Sequence, residues 1–202
     1  MKPASDASIP KEVMNILDPA RSVLVVWDVQ KMLVNNIFNK EEFLASAKIV
    51  IDAARSAGVR IFFTRITQLP DHFQSPVRKY LMSRRSPLAF TPDGMELAMD
   101  PDPSDIIINK NTADIFIGTN FELMIRNAGV STIVFVGIAT EMGIESSARA
   151  ASNRSFFPVI ATDAVSSSNR DAHFRSLENL KSMMIMYTAR ELASIWSKLK
   201  TD

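Results

Sequence analysis

The chain has no cysteine, two histidines and six glycines among its 202 residues. Without cysteine it can form no disulfide, hold no metal through a thiolate and attack no carbonyl with a thiol. Two histidines are too few for a typical metal site with three or more protein ligands, so we expect no metal and no cofactor. The lack of disulfides fits a reducing compartment, and we expect a cytoplasmic protein.

Long apolar runs and a charge bias are also missing. The longest apolar runs, 23–27 and 132–136, are far too short to span a bilayer, and residues 1–18 lack the apolar core of a signal peptide. The 23 basic and 22 acidic residues leave a net charge of +1 and form no basic stripe. We therefore expect neither a membrane nor a nucleic acid as a partner.

Short apolar runs alternate with segments of helical periodicity. The runs fall at 23–27, 59–63, 106–108, 132–136, 157–161 and 183–186, and the helical patterns at 41–57, 120–127, 145–153, 170–180 and 189–199. This alternation predicts an α/β fold, a parallel sheet with helices on both faces. Because the length suits one domain and no linker is visible, we predict a single domain over 1–202, with residues 1–20 as an N-terminal extension.

Residues 67–104 form a long insertion between two predicted strands. It is irregular in pattern and contains six prolines, at positions 70, 76, 87, 92, 101 and 103, and the basic residues Arg78, Lys79, Arg84 and Arg85. A connection of this length is usually a lid, a binding loop or an oligomer contact.

Three polar features stand where predicted strands end. Asp28 follows the run 23–27, Lys110 follows 106–109, and the glycine-flanked segment 137–143 follows 132–136 and opens a helix. Ligands of open α/β sheets bind beyond the carboxyl ends of the strands, so an Asp28–Lys110 ion pair is predicted near such a site. Each residue alone has an ordinary explanation, Asp28 as a loop anchor and Lys110 as a surface group; only their combination is informative.

The segments VVWDVQ (25–30), INKNTADIF (108–116) and GIATEMGIESSAR (137–149) resemble the signature regions of isochorismatase-like, nicotinamidase-related hydrolases. The resemblance implies a three-layer α/β/α sandwich, a six-stranded parallel sheet of order 3-2-1-4-5-6, and a homo-oligomer, a dimer or tetramer. It further implies Asp28 as the acid or base, Lys110 as a positioning cation, and a non-proline cis peptide between Ile138 and Ala139. The backbone N–H groups of Ala139 and Gly143 would then face a substrate oxygen.

One position departs from the family pattern, because the usual thiol position falls on Gly143. True isochorismatases also carry glycine there and cleave a vinyl ether by proton transfer, which needs a protonated acid and no nucleophile. The surrounding residues, Ala139, Thr140 and Glu141, are closer to the thiol branch, so the substrate stays open.

Other residues near these segments have two interpretations each. Gln30, Phe116, Thr140 and Glu141 are predicted to line the substrate, although Phe116 could be a core aromatic and Glu141 a partner of the helix dipole. His72 is interpreted as a solvated loop residue and His173 as a surface helix residue. Arg65, Arg84 and Arg85 could bind a carboxylate or simply be solvated.

Two functions compete. The first is a hydrolase of small molecules that acts without a cysteine, with proton-transfer-driven hydrolysis of a vinyl ether as its candidate reaction. The second is a catalytically inactive binding or regulatory protein that keeps the family pocket, and a structural oligomer subunit is a third reading. A Gly143→Cys variant that gains amidase activity would indicate an intact but silent pocket.

Overall fold

The computed structural model describes residues 15–84 and 90–199. Its centre is a six-stranded sheet of order β3-β2-β1-β4-β5-β6. Every neighbouring pair of strands in this sheet is parallel. The strands are β1 (Ser22–Trp27), β2 (Arg60–Ile66), β3 (Ile106–Lys110), β4 (Thr132–Ile138), β5 (Phe157–Ser166) and β6 (Ile185–Tyr187). The predicted fold class and strand order are confirmed.

The helices whose bounds lie within the described residues are α1 (Lys31–Val34), α2 (Lys40–Ser56), α3 (Pro76–Ser83), α4 (Pro92–Met95), α5 (Phe121–Asn127), α6 (Glu145–Asn153), α7 (Arg170–Lys181) and α8 (Ala189–Leu199). The five predicted helices match α2 and α5–α8 to within one residue at each end. The insertion, predicted to be irregular, contains the short helices α3 and α4. Within residues 15–84 and 90–199, each helix is too short or too polar to cross a membrane.

The side chains of β1 pack into the cores on both faces of the sheet, because successive side chains of a strand point to opposite faces. Leu24 and Val26 join one core, which includes buried residues of α2 and α8. Val23, Val25 and Trp27 join a second core, which includes buried residues of α5 and α6. All six residues of β1 are buried, as expected for the central strand of a sheet covered by helices on both faces.

Close approach of β1 and β4 depends on Gly137. This residue pairs with Trp27 and has φ +126°. A Cβ at Gly137 would lie 2.1 Å from the carbonyl oxygen of Trp27, so no side chain fits there. The ends of β1 and β4 are thereby held side by side, and the turn after β4 lies next to Asp28.

Candidate active site

Asp28 is the first residue beyond β1 and has a left-handed backbone conformation, with φ 49°. Aspartate tolerates this conformation better than most residues, at a cost on the order of 1 kcal/mol. The backbone N–H of Asp28 donates to Thr64 Oγ1 at 3.0 Å, and the Thr64 hydroxyl donates to Asp28 Oδ1 at 2.6 Å. Thr64 lies in β2, the strand between those that carry Asp28 and Lys110, so it holds the carboxyl from the middle of the site.

Lys110 ends β3 and reaches the other carboxylate oxygen. Its Nζ donates to Asp28 Oδ2 at 2.6 Å and to the carbonyl oxygen of Thr112 at 3.2 Å. The same ammonium lies 3.9 Å from the centre of the Trp27 indole, a cation–π contact. The side chains of Lys110 and Asp28 are 1% and 6% exposed, so the predicted desolvated ion pair is confirmed.

Burial dominates the electrostatics of this pair. It raises the pKa of Asp28 above its usual range, while the charge and hydrogen bond of Lys110 and the hydrogen bond of Thr64 act in the opposite direction. Burial also lowers the pKa of Lys110, against the opposing effect of Asp28. The charged forms are therefore less favoured than in water, and Asp28 is suited to carrying a proton.

The turn after β4 begins with the peptide bond between Ile138 and Ala139, which is cis as predicted. Residues Thr140–Ile144 form a single π-helical turn that leads directly into α6. The Thr140 hydroxyl donates to the carbonyl oxygen of Ser166 at 3.1 Å and lies 2.8 Å from His173 Nδ1. These contacts attach the turn to β5 and α7.

The interpretation of His173 as a surface residue is wrong. It is 3% exposed, because α7 turns this side chain inwards against Thr140 and the ring of Phe38, whose centre is 5.3 Å away. Burial lowers the pKa of His173, which favours the neutral ring. The residue therefore supports the turn from behind.

Gly143 lies in the turn and is buried, and the space on its side-chain side is filled by Trp27. An ideal Cβ at Gly143 would lie 2.1 Å from Trp27 Nε1, 2.2 Å from Cε2 and 2.5 Å from Cζ2. Non-bonded heavy atoms do not come this close, so even the methyl group of an alanine at position 143 would require the indole to move. Trp27 is 1% exposed.

Glu141 lies two residues before Gly143 in the same turn and is half-buried. Its Oε1 accepts a hydrogen bond from Ser167 Oγ at 2.8 Å. Its Oε2 is buried and has no hydrogen-bond partner among the described residues. A second acidic role for Glu141 stays a prediction.

Gln30 is fully buried, and both ends of its amide bind backbone. Its Oε1 accepts from the N–H of Ile66 at 2.8 Å, and its Nε2 donates to the carbonyl oxygen of Met95 at 3.1 Å. Gln30 thus joins the end of β2 to the insertion. Its predicted contact with substrate stays a prediction.

The remaining predicted residues lie around this centre. Phe116 is half-buried, and its ring packs 5.5 Å from that of Phe121 and lies 4.5 Å from the guanidinium carbon of Arg154. His72 lies in an exposed turn beside Phe73, and Arg84 lies at the end of α3 near Tyr80. Arg85 is outside the described residues.

Sequence reasoning missed two residues of the centre, Thr64 and Trp27. Thr64 is the one polar residue within the buried part of β2, and its place among apolar neighbours was an available signal. No sequence signal shows that the Trp27 indole reaches position 143, because that contact depends on the adjacency of β1 and β4.

A cavity on the β3 side of the sheet lies apart from the ion pair. This cavity, of about 310 Å³, is lined by residues such as Ile107, Asn109 and Met124, and neither Asp28 nor Lys110 lines it. Among residues 15–84 and 90–199, no group of three or more His, Cys, Asp or Glu side chains is placed to hold a metal ion.

The fold and this centre define a class: an α/β protein with a six-stranded parallel sheet and a buried acid–lysine pair at the carboxyl ends of its strands, near a glycine-bearing turn. Residues 22–191 match the family model described as the isochorismatase domain. The chain therefore belongs to the isochorismatase family.

Individual relatives agree. The chain is 30% identical over 170 residues to YecD, an uncharacterised isochorismatase family protein of Escherichia coli O157:H7, across 81% of this chain and 89% of the relative. The fold is similar to a cysteine hydrolase of Pseudomonas syringae pv. phaseolicola 1448A, with a TM-score of 0.80 and 20% identity over 90% of this chain and 94% of that one. It is also similar to the nicotinamidase PncA of Bacillus subtilis, with a TM-score of 0.69 and 18% identity over 82% and 98% of the two chains.

Proposed function

We propose that the protein is a small-molecule hydrolase in which Asp28 acts as the acid and no side chain forms a covalent bond with the substrate. The observation that carries this proposal is the Asp28 carboxyl, which is 4% exposed and has a raised pKa although an ammonium lies 2.6 Å away. Burial shifts this carboxyl towards its protonated form, the form that general acid catalysis requires.

Hydrolysis of a vinyl ether is the reaction that suits such an acid. The proton of Asp28 adds to the terminal vinyl carbon, and positive charge develops at the carbon that carries the ether oxygen. Water attacks that carbon and returns a proton to Asp28, and the hemiketal then breaks down to an alcohol and a ketone. The bond that breaks joins the ether oxygen to the former vinyl carbon, and no thiol is needed at position 143.

Neighbouring groups have supporting roles in this proposal. Lys110 holds the carboxylate that remains after proton transfer, with a contact of 2.6 Å. The backbone N–H groups of Ala139 and Gly143 bind an oxyanion or carboxylate of the substrate. Gln30, Phe116, Thr140 and Glu141 line the substrate.

The test is a substrate screen followed by one isosteric change. The purified protein is incubated with isochorismate, as a vinyl ether, and with panels of amides and carbamates. Asp28→Asn should reduce turnover of any substrate found by about 10²–10⁴-fold, the usual contribution of a general acid. The far-ultraviolet circular dichroism of the variant should match the parent. Unchanged turnover in a folded Asp28→Asn variant would contradict the role.

A second candidate function is a binding or regulatory protein without catalysis. The observation that favours it is the Trp27 indole, which fills the space in front of Gly143. Thermal stabilisation by isochorismate or nicotinamide without any product, at protein concentrations that would reveal slow turnover, supports this second function. Gly143→Cys alone does not report on the pocket, because the Cβ of the cysteine would meet the Trp27 indole.

Self-association and a cytoplasmic location complete the proposal. The segment 73–82 exposes Phe73, Val77, Tyr80 and Leu81, the apolar surface expected of a contact between copies of the chain. Sedimentation velocity on the purified protein tests the dimer or tetramer, and a monomer at high concentration would contradict it.

A further inference from the structure

The space in front of Gly143 and the position of Lys110 depend on one side chain, that of Trp27. Its ring contacts Lys110 Nζ, 3.9 Å from the ring centre, and its Nε1, Cε2 and Cζ2 atoms occupy the place of a side chain at position 143. The Trp27 indole thus lies against both Lys110, at the end of β3, and position 143, in the turn after β4.

The indole has little freedom to leave this place. Trp27 is the last residue of β1, its backbone pairs with Gly137, and it belongs to the core formed with residues of α5 and α6. At 1% exposure it is surrounded on all sides. Any shift of the ring therefore disturbs packing that has crystal-like density.

We propose that Trp27 is the positioning residue of the centre: its indole seats the Lys110 ammonium and excludes every side chain from position 143. Trp27 and Gly143 then form a matched pair. The centre works without a nucleophile at position 143 because the structure has no room for one, and restoring a cysteine requires a change at both positions.

A double-mutant cycle tests the exclusion. Gly143→Ala in the parent should lower the melting temperature by at least about 5 °C, because the methyl group displaces a buried indole. In a Trp27→Val background the same substitution should change the melting temperature by less than about 2 °C. The matched control is Trp196→Val, which removes the other buried tryptophan, in α8, and should leave the full penalty of Gly143→Ala in place.

Two results would overturn the exclusion. The first is a parent that accepts Gly143→Ala without loss of stability. The second is an equal penalty in the Trp27→Val and Trp196→Val backgrounds. If Trp27→Val does not fold, Trp27→Phe takes its place in the cycle, since the smaller ring frees part of the space and keeps an aromatic face for Lys110.

A thiol tests whether position 143 and the Lys110 ammonium face the same space, the one that the indole occupies. The chain has no cysteine, so the combined Trp27→Val and Gly143→Cys variant carries a single thiol in the vacated space. A thiol that faces the ammonium should have a pKa below the usual value of about 8.5 in the pH profile of its alkylation by iodoacetamide. Adding Lys110→Met should move that profile back towards about 8.5. A profile that Lys110→Met leaves unchanged would refute this shared space and, with it, the placement of the Trp27 indole between position 143 and the ammonium.

These measurements are independent of the proposed reaction. The cycle and the alkylation need no substrate, so their failure leaves the role of Asp28 untouched. An inactive Asp28→Asn variant likewise says nothing about Trp27.

Discussion

Two regions of the molecule distribute polar and apolar groups in opposite ways. The centre buries Asp28 and Lys110 at 4% and 2% exposure, whereas the segment that includes α3 exposes Phe73, Val77 and Tyr80 at 70%, 67% and 61%. Both arrangements cost free energy unless something compensates them. In the centre the compensation is internal, because Thr64 and Lys110 bind the Asp28 carboxyl and the Trp27 indole contacts the Lys110 ammonium.

Helix α3 has no such compensation within the described residues, since none of its residues is buried. It forms from local signals: Ser75 accepts a hydrogen bond from the N–H of Arg78 at 3.1 Å, and Pro76 fits the first turn. The comparison teaches that the buried charges of the centre have their partners within one chain, whereas the apolar residues of α3 are left uncovered among the described residues. Four changes test this contrast.

The largest effect is expected from Lys110→Met. It leaves a buried carboxylate without its cation and should lower the free energy of unfolding by about 3–5 kcal/mol in urea titrations. The combined Asp28→Asn and Lys110→Met variant should regain most of this loss, because no buried charge remains. Equal stability of the parent and the single variant would contradict a charged Asp28–Lys110 pair in the folded protein, because a neutral Asp28 carboxyl loses no counter-charge.

A smaller loss is expected from Thr64→Val, which keeps the shape and removes the hydroxyl. Asp28 then loses a donor to Oδ1 and an acceptor for its N–H, so the free energy of unfolding should fall by about 1–3 kcal/mol. Thr162→Val is the matched control in β5, where the hydroxyl makes one 3.3 Å contact with the carbonyl oxygen of Tyr187. A larger loss of unfolding free energy in Thr162→Val than in Thr64→Val would contradict a stabilising role for the two Thr64–Asp28 hydrogen bonds.

The third effect depends on pH and concerns His173. Burial lowers the pKa of His173 in the folded state. As the pH falls below about 6.5, His173 therefore takes up a proton in the unfolded chain before it does so in the folded chain. The free energy of unfolding should therefore fall on acidification, by at most about 1.4 kcal/mol per pH unit from this group. His173→Gln should remove this component between pH 7.5 and 5, and the exposed His72→Gln should retain it.

The smallest effect on stability is expected from Tyr80→Glu. The side chain is 61% exposed, so the free energy of unfolding should change by less than about 0.5 kcal/mol. Sedimentation velocity should show weaker self-association, because a charge enters the exposed apolar surface. A large loss of stability would show that α3 packs against the rest of the chain in solution.

Much of the fold was predictable because buried strands leave a plain signal. The continuous β-branched runs of β1 and β4 and the helical periodicity of α2 located these elements to within two residues, and the strand order came from the family resemblance. The prediction for β6 was displaced, at 183–186 against Ile185–Tyr187, because this short edge strand is only half-buried and Met183 is 48% exposed. The apolar composition of residues 183–186 does not show which of these side chains are exposed and lie outside the strand.

The prediction of irregular structure for residues 67–104 missed two short helices, α3 and α4, for a physical reason. The prolines of this segment suggested irregular structure, yet Pro76 and Pro92 occupy helix first turns behind the capping residues Ser75 and Thr91. A proline after serine or threonine was a start signal for a helix.

The site was predictable only in part. Asp28 and Lys110 were found because strand ends converge at one edge of a parallel sheet. The contact of Trp27 with Gly143 and the inward orientation of His173 depend on side-chain direction and on packing between distant elements, which a single sequence does not encode in a readable pattern.

The hydrogen bonds around Gln30 limit how the insertion can be re-engineered. Besides the Gln30 amide, the N–H of Lys31 donates to the carbonyl oxygen of Glu96 at 2.9 Å, and the N–H of Ala98 donates to the carbonyl oxygen of Val29 at 2.8 Å. Val29, Gln30 and Lys31 follow Asp28 directly in the chain. A graft of another family member's insertion should therefore be spliced before Thr91, since a joint within 93–98 would carry its change in length straight to the backbone that orients the acid.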